Sequence, residues 1–138
     1  MYQMTDDEFE AAVADAIDSI PDEFLDELEN VVFLVADEPS EEQLADLQDI
    51  AEDGWEVSGL YSQEGDLLGL YDGISLYDRG DSYGSGEFPD TITIFKGPHE
   101  RLEGGREEIL EEVRRTVVHE VAHYFGMDEE QVDEMGYA

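Results

Sequence analysis

The chain has 138 residues and no cysteine, and 39 acidic residues against six basic ones give it a formal net charge of −33 at pH 7. This length predicts one domain, residues 1–138, and the lack of cysteine excludes a disulfide framework or a thiolate metal site. A field of this sign repels phosphate, so we expect neither nucleic acid nor an anionic membrane as a partner.

Three explanations of the acidity compete. The first is an ordinary solvated surface, and the second is adaptation to multimolar salt, where a Debye length of about 3 Å makes the self-repulsion of the fold tolerable. The third is a disordered acidic tail or a nucleic acid mimic. The acids alternate with apolar positions and Lys96 is the only lysine, which together favour adaptation to salt.

The beginning of the sequence resembles no targeting segment. Residues 1–8 lack both the basic and the apolar region of a signal peptide. Because no later apolar run is long enough to span a bilayer, we expect a cytoplasmic protein.

The first predicted element is a helix that opens at a capping box. Thr5 followed three residues later by Glu8 has the form of that box, and apolar residues at helical spacing extend the helix to about Ile20. Pro21 ends it, and the apolar residues of 24–28 predict a short further turn of helix.

Residues 31–36 form a continuous apolar run that predicts a buried central strand. Ser40 and Gln43 then repeat the capping-box pattern and open a helix that ends near Gly54. The less regular stretch that follows has two aromatic residues, which pack under a loop or form a wall for substrate: Trp55 and Tyr61.

A β-hairpin is predicted next. Residues 67–71 and 74–77 read as two strands around Asp72-Gly73, a dipeptide typical of a tight turn. One strand is either an ordinary hairpin strand or the exposed edge of a sheet to which an extended peptide adds.

Residues 78–87 form a polar loop in which Arg79 either pairs with a nearby acid or orients a substrate carbonyl. Residues 91–95 alternate as a strand that ends at Gly97-Pro98. We expect His99 at the surface or at a cap, because no spacing relates it to the other two histidines.

A long helix is predicted from residue 106 to residue 125, with an ion pair from Glu111 to Arg115 on its exposed side. Its buried stripe is Ile109, Leu110, Val113, Val117, Val121 and Phe125.

The end of this helix has the pattern H-E-x-x-H-x-x-G-x-x-E. Residues four apart lie on one helix face, so His119 and His123 can reach one metal ion, and the pattern predicts one zinc ion per chain. Zinc lowers the pKa of bound water to about 7, and a neighbouring carboxylate can take its proton and deliver it to a leaving amine. That role belongs to Glu120.

The third ligand must come from beyond the helix. Gly126 can adopt the left-handed backbone that ends a helix and turns the chain back, which would bring Glu129 towards the metal. Glu130 is the alternative ligand, and Asp128 is not separated from either by the pattern.

With these motifs the sequence resembles the small zincin-like metallopeptidases of bacteria and archaea, also called minimal metalloprotease-like domain proteins. The resemblance is closest over residues 116–126, and it implies that His119, His123 and the acid at 129 bind zinc while Glu120 is the base. Elsewhere it rests on Phe9, Ala16-Ile17, Pro21, residues 30–32, residues 68–73, Arg79 and residues 89–92.

The predicted fold is α+β, a small mixed sheet packed by the first helix and by the helix with the motif, and the metal lies at their junction. The predicted function is a zinc metallopeptidase that acts on a peptide or protein substrate. One alternative is a zinc-binding module that hydrolyses nothing because it lacks a substrate pocket. Another is an acidic interaction protein in which the motif is accidental and no zinc binds.

Overall fold

The computed structural model describes residues 3–26, 28, 31–46, 56–62, 65–73 and 90–125. Helices and one mixed sheet make the fold α+β, as predicted. In chain order the elements are α1 (Asp6–Asp18), α2 (Asp22–Leu25), β1 (Val31–Ala36), α3 (Glu41–Asp46), β2 (Glu56–Tyr61), β3 (Leu67–Gly73), β4 (Asp90–Phe95), α4 (Lys96–Glu100) and α5 (Arg106–Phe125).

The four strands form one sheet in the order β1-β4-β3-β2. β1 and β4 are parallel, whereas β3 is antiparallel to both of its neighbours. One apolar cluster joins α1 and α5 to the sheet, with Phe9 from α1, Val117 from α5, and Tyr71 and Ile94 from the strands. The two helices that the sequence predicts to cover the sheet therefore share its main core.

Both predicted capping boxes are present. Thr5 Oγ1 accepts a hydrogen bond from the Glu8 amide at 3.1 Å, and Glu8 Oε1 accepts one from the Thr5 amide at 3.3 Å. At α3, Ser40 Oγ and Gln43 Oε1 accept the reciprocal bonds at 3.0 and 2.9 Å. Each box satisfies amides that have no partner within the first turn of its helix, so local sequence determines where α1 and α3 begin.

The prediction that residues 31–36 form a central strand is wrong. Within the described part of the sheet, β1 has a single neighbour, β4, and lies at one end. Val32 and Leu34 are 40% and 49% exposed. An apolar, β-branched run indicates a strand, but it does not determine how many neighbours that strand has, because pairing depends on distant segments.

The predicted turn at Asp72-Gly73 is also wrong. β3 continues through both residues, with Asp72 between Val57 of β2 and Thr91 of β4. Pairing of Asp72 on both sides and of Gly73 with Glu56 of β2 holds this dipeptide extended despite its preference for a turn. Residues 74–77, the second strand of the predicted hairpin, lie outside the described residues.

The observed hairpin joins β2 to β3, and β2 falls in the stretch that the sequence predicts to be irregular. The Ser62 amide donates to the Asp66 carbonyl at 2.8 Å across the connection. Gly65 has a φ of 92°, a left-handed conformation that favours glycine.

Two ion pairs on the helices differ in kind. Lys96 binds Asp6 at 3.0 Å and so links α4 to α1, whereas Arg114 binds Glu111 at 2.9 Å within α5. The sequence predicts Glu111 to pair with Arg115, but Arg114, three residues on, takes that place. No helix in the described part of the chain is both long and apolar enough to cross a bilayer.

Candidate metal centre

α5 carries the two histidines of the predicted metal-binding motif and has the predicted bounds, Arg106–Phe125. Two glycines precede the helix. Gly104 has a φ of 110°, and the Gly105 amide donates a hydrogen bond to Glu108 Oε2 at 3.0 Å. From there the helix continues for 20 residues. His119 and His123 therefore lie on consecutive turns of one continuous helix, which is the backbone arrangement that a shared metal ion requires.

The side chains of the motif are described in part. His119 is half-buried and Glu120 is 0% exposed. The His123 side chain, the helix-ending residue Gly126 and the acids at 128, 129 and 130 lie outside the described residues. Within the described part no group of three ligating side chains is present, since two of the three predicted ligands fall outside it.

The donor set of the motif fits zinc. Two imidazoles and one carboxylate, with an open position for water, form a common catalytic zinc site. His119 lies at the border of the core, where an imidazole can face both protein and solvent. Glu120, next to it in sequence, is removed from bulk water, and electrostatic interactions are stronger there than at an exposed surface.

Glu120 lies against β3 at Gly69. A Cβ atom placed on Gly69 would be 3.3 Å from Glu120 Cγ and 2.6 Å from Thr116 Cγ2. In the sheet Gly69 is paired with Leu60 on one side and Ile94 on the other. The helix turn that carries the predicted base is therefore in direct contact with the sheet backbone.

The prediction for His99 is wrong. His99 is 0% exposed and lies in α4, a helix that the sequence analysis missed because Gly97-Pro98 reads as a strand end. Its Nδ1 is 2.7 Å from the Phe95 carbonyl oxygen and its Nε2 is 3.1 Å from Thr116 Oγ1. The ring also contacts Phe9, with centroids 5.5 Å apart.

Burial lowers the pKa of His99 from 6.5 to about 4, although the Phe95 and Glu112 carbonyls, which favour the protonated ring, act in the opposite direction. The imidazole is therefore neutral at pH 7. A carbonyl oxygen can only accept, so Nδ1 carries the single ring proton and Nε2 is an acceptor.

A buried polar pair joins β3 to the first residue of β4. The Tyr71 hydroxyl donates a hydrogen bond to the Asp90 carboxylate, and both residues are 0% exposed. The sequence analysis treated these residues as ordinary parts of the sheet. A hydrogen bond to a buried carboxylate contributes about 1.5–3 kcal/mol, so the pair helps to hold the two strands in register beneath α5.

An open cleft of about 400 Å³ lies between the end of β2 and α5. Tyr61, 43% exposed, forms part of its wall, together with Glu112 and Arg115 from the helix. Because Arg115 and His119 are four residues apart on α5, the cleft opens one helical turn from His119. Tyr61 therefore lies at a cleft wall and not under a loop, whereas Trp55 and Arg79 lie outside the described residues.

The sequence analysis missed Gly69, Thr116 and His99 as neighbours of the site. One signal was available for Gly69, since a glycine inside a strand pattern often marks a close approach of another backbone or ligand. Nothing local pointed to Thr116 or His99, because their contact joins two helices that are separate in the sequence.

Comparison with known proteins agrees with this architecture. A family model described as zincin-like metallopeptidase matches residues 28–137, which is well over half of the chain and includes all four strands and the motif. No curated protein matches the chain. The family match and the α+β fold together show that the chain belongs to the zincin-like metallopeptidase family.

Proposed function

We propose that this protein is a zinc-dependent peptidase in which His119, His123 and Glu129 hold the metal and Glu120 is the general base. The observation that supports the proposal is the continuous helix α5: positions 119 and 123 are one turn apart along its backbone, and Glu120, next to His119, is buried. The family match supports a hydrolase of this class.

When bound, zinc would supply Lewis acidity and lower the pKa of a water molecule from about 16 to about 7. Glu120 would take a proton from the attacking water molecule as the water oxygen adds to the scissile carbonyl carbon. The same carboxyl group returns the proton to the amine nitrogen as the C–N bond breaks. As zinc ligands, His119 and His123 would each offer the metal an unprotonated ring nitrogen, because a protonated imidazole nitrogen cannot bind a metal.

The proposed substrate is a peptide or protein segment, and the net charge of −33 would favour cationic segments at low ionic strength. Multimolar salt would remove most of this steering, because screening shortens the range of the field to about 3 Å. The same charge disfavours nucleic acid and anionic lipid as partners. The proposed location is the cytoplasm; a chain without cysteine has no need of an oxidising compartment.

The decisive experiment compares the wild type with Glu120→Gln in a peptide library assay at multimolar KCl, with zinc content measured on the same samples. We expect Glu120→Gln to keep its zinc and to lose hydrolysis. Glu107→Gln is the matched control, since Glu107 is exposed in the first turn of the same helix.

Three outcomes separate the alternatives. Hydrolysis by Glu120→Gln at the wild-type rate would remove Glu120 from the mechanism. Stoichiometric zinc in the wild type, with no turnover of any library member, would instead establish a zinc-binding module. A chain that folds and binds no zinc would leave only an acidic interaction protein.

A further inference from the structure

Thr116, one helical turn before Glu120, contacts both Gly69 of β3 and His99 of α4. It is 0% exposed and precedes Glu120 by four residues, so the two side chains lie on the same face of α5. The Thr116 methyl group lies against β3, 2.6 Å from the Cβ position of Gly69, and Glu120 Cγ lies 3.3 Å from that same position. Both side chains therefore rest on one backbone site that has no side chain of its own.

The hydroxyl group of Thr116 points towards His99 and the Glu112 carbonyl group. Its Oγ1 lies 3.1 Å from His99 Nε2 and 2.8 Å from the Glu112 carbonyl oxygen. Since Nε2 of a neutral His99 is an acceptor, the Thr116 hydroxyl proton has two acceptors, one in α4 and one in α5. This orientation leaves the methyl group directed at Gly69.

We propose that Thr116 is a positioning residue for Glu120, held by His99 at its hydroxyl end and by the bare backbone of Gly69 at its methyl end. The inference rests on the proposed role of Glu120 as general base. The new element is the contact between the Thr116 methyl group and Gly69, which sets the distance between the helix turn of Glu120 and the sheet.

The physical basis is close packing. Protein interiors leave few voids, so a methyl group added at Gly69 must displace Thr116 or the helix. Thr116 and Glu120 belong to adjacent turns of one rigid helix, so a displacement at Thr116 moves the Glu120 carboxylate with it. A misplacement of about 1 Å can cost about a hundredfold in rate even when the ligands are intact.

The first experiment pairs Gly69→Ala with Thr116→Ser. Gly69→Ala places a methyl group against the Thr116 methyl group, and we expect kcat to fall by about tenfold to a hundredfold with little change in KM. Adding Thr116→Ser removes Cγ2 and keeps Oγ1, so the double variant should recover most of the lost kcat. Gly105→Ala is the control, because a Cβ there has no neighbour closer than 3.5 Å.

The second experiment tests the hydroxyl end and does not depend on whether Gly69→Ala folds. Thr116→Val keeps the shape of the side chain and removes the hydrogen bonds to His99 and Glu112. We expect kcat to fall in Thr116→Val by more than in Thr116→Ser, at a temperature below the melting point of both variants. A merely structural role would lower the Tm of Thr116→Val and leave kcat at the level of Thr116→Ser.

A third readout is independent of turnover: the visible absorption spectrum of the protein loaded with Co²⁺. We expect Gly69→Ala to shift this spectrum and the double variant to restore it, because the spectrum reports the surroundings of the metal. If the wild type hydrolyses no peptide but the spectra behave in this way, the proposed function fails and the positioning contact stands. If the wild type is active and neither kcat nor the spectrum responds to Gly69→Ala or Thr116→Val, the positioning role is refuted and the peptidase remains.

Discussion

The Glu38 carboxylate fills the space beside Gly97 that any side chain at that position would need. From there it binds Arg101 through two bonds, at 2.7 and 2.9 Å, and Arg101 also binds Asp66 at 3.2 Å. The Arg101 guanidinium group therefore joins three segments: the residues after β1, the β2–β3 connection and the end of α4. One of the six basic residues of the chain thus links three of its segments.

Gly97→Ala should destabilise the protein. Alanine is the better helix former by about 1 kcal/mol, but its Cβ would overlap the Glu38 carboxylate and lie 2.8 Å from the Asp37 carbonyl oxygen. Overpacking of this kind costs about 1–3 kcal/mol, so we expect a net loss in the free energy of unfolding in urea. Gly105→Ala serves as the control without a clash, and an increase in stability for Gly97→Ala would contradict the assigned contact.

Because of His99, the free energy of unfolding should decrease as the pH is lowered. Its pKa is about 4 in the folded protein and 6.5 when unfolded, so below pH 6.5 the unfolded state binds more protons. The contribution of His99 is complete above pH 6.5 and is lost as the pH falls towards 4. Its size is on the order of 3 kcal/mol, and the sign follows from proton linkage.

The comparison of wild type with His99→Gln isolates this effect, because the carboxylates titrate in both proteins. Denaturant unfolding from pH 7 down to pH 4, at one KCl concentration, should show the stability of the wild type falling relative to the variant. A difference that is independent of pH would mean that His99 is not titrating as a buried neutral imidazole.

Multimolar KCl should stabilise the fold if the acidity is an adaptation to salt. At a net charge of −33 the folded chain repels itself, and raising the salt from about 0.1 M to about 1 M shortens the Debye length from about 10 to about 3 Å. We therefore expect Tm to rise steeply with KCl. Sucrose is the control, since it strengthens apolar burial without screening charge; an equal response to both would argue against screening as the cause.

Alanine substitution at 128, 129 and 130 tests the proposal that Glu129 is the third zinc ligand. We expect Glu129→Ala to lose zinc on dialysis against a weak chelator, while Asp128→Ala and Glu130→Ala retain it. The reason is that two imidazoles alone bind zinc less tightly than a complete set of three ligands. Elemental analysis of the dialysed proteins measures the outcome, and zinc loss in Glu130→Ala alone would move the assignment to that residue.

Features that depend on neighbours in the sequence could be predicted. Thr5 with Glu8 and Ser40 with Gln43 form the expected capping boxes, and α5 has the expected bounds. The motif on α5 was equally readable, since its spacing is a property of one helix. The hydrogen bonds that decide these features join residues three or four apart, so they form in almost any tertiary context.

Features that depend on contacts between distant segments could not be predicted from the sequence. The sequence alone indicated that residues 31–36 and 67–71 form strands, but only the sheet decided that β1 lies at the end and that Asp72-Gly73 stays extended. Only the packing of α4 and β3 on α5 buried His99 and brought Gly69 beneath Glu120. Local hydrogen bonding thus determined the starts of α1 and α3 and the bounds of α5 from the sequence, whereas α4, the strand neighbours and the surroundings of Glu120 were decided by contacts between segments far apart in the chain.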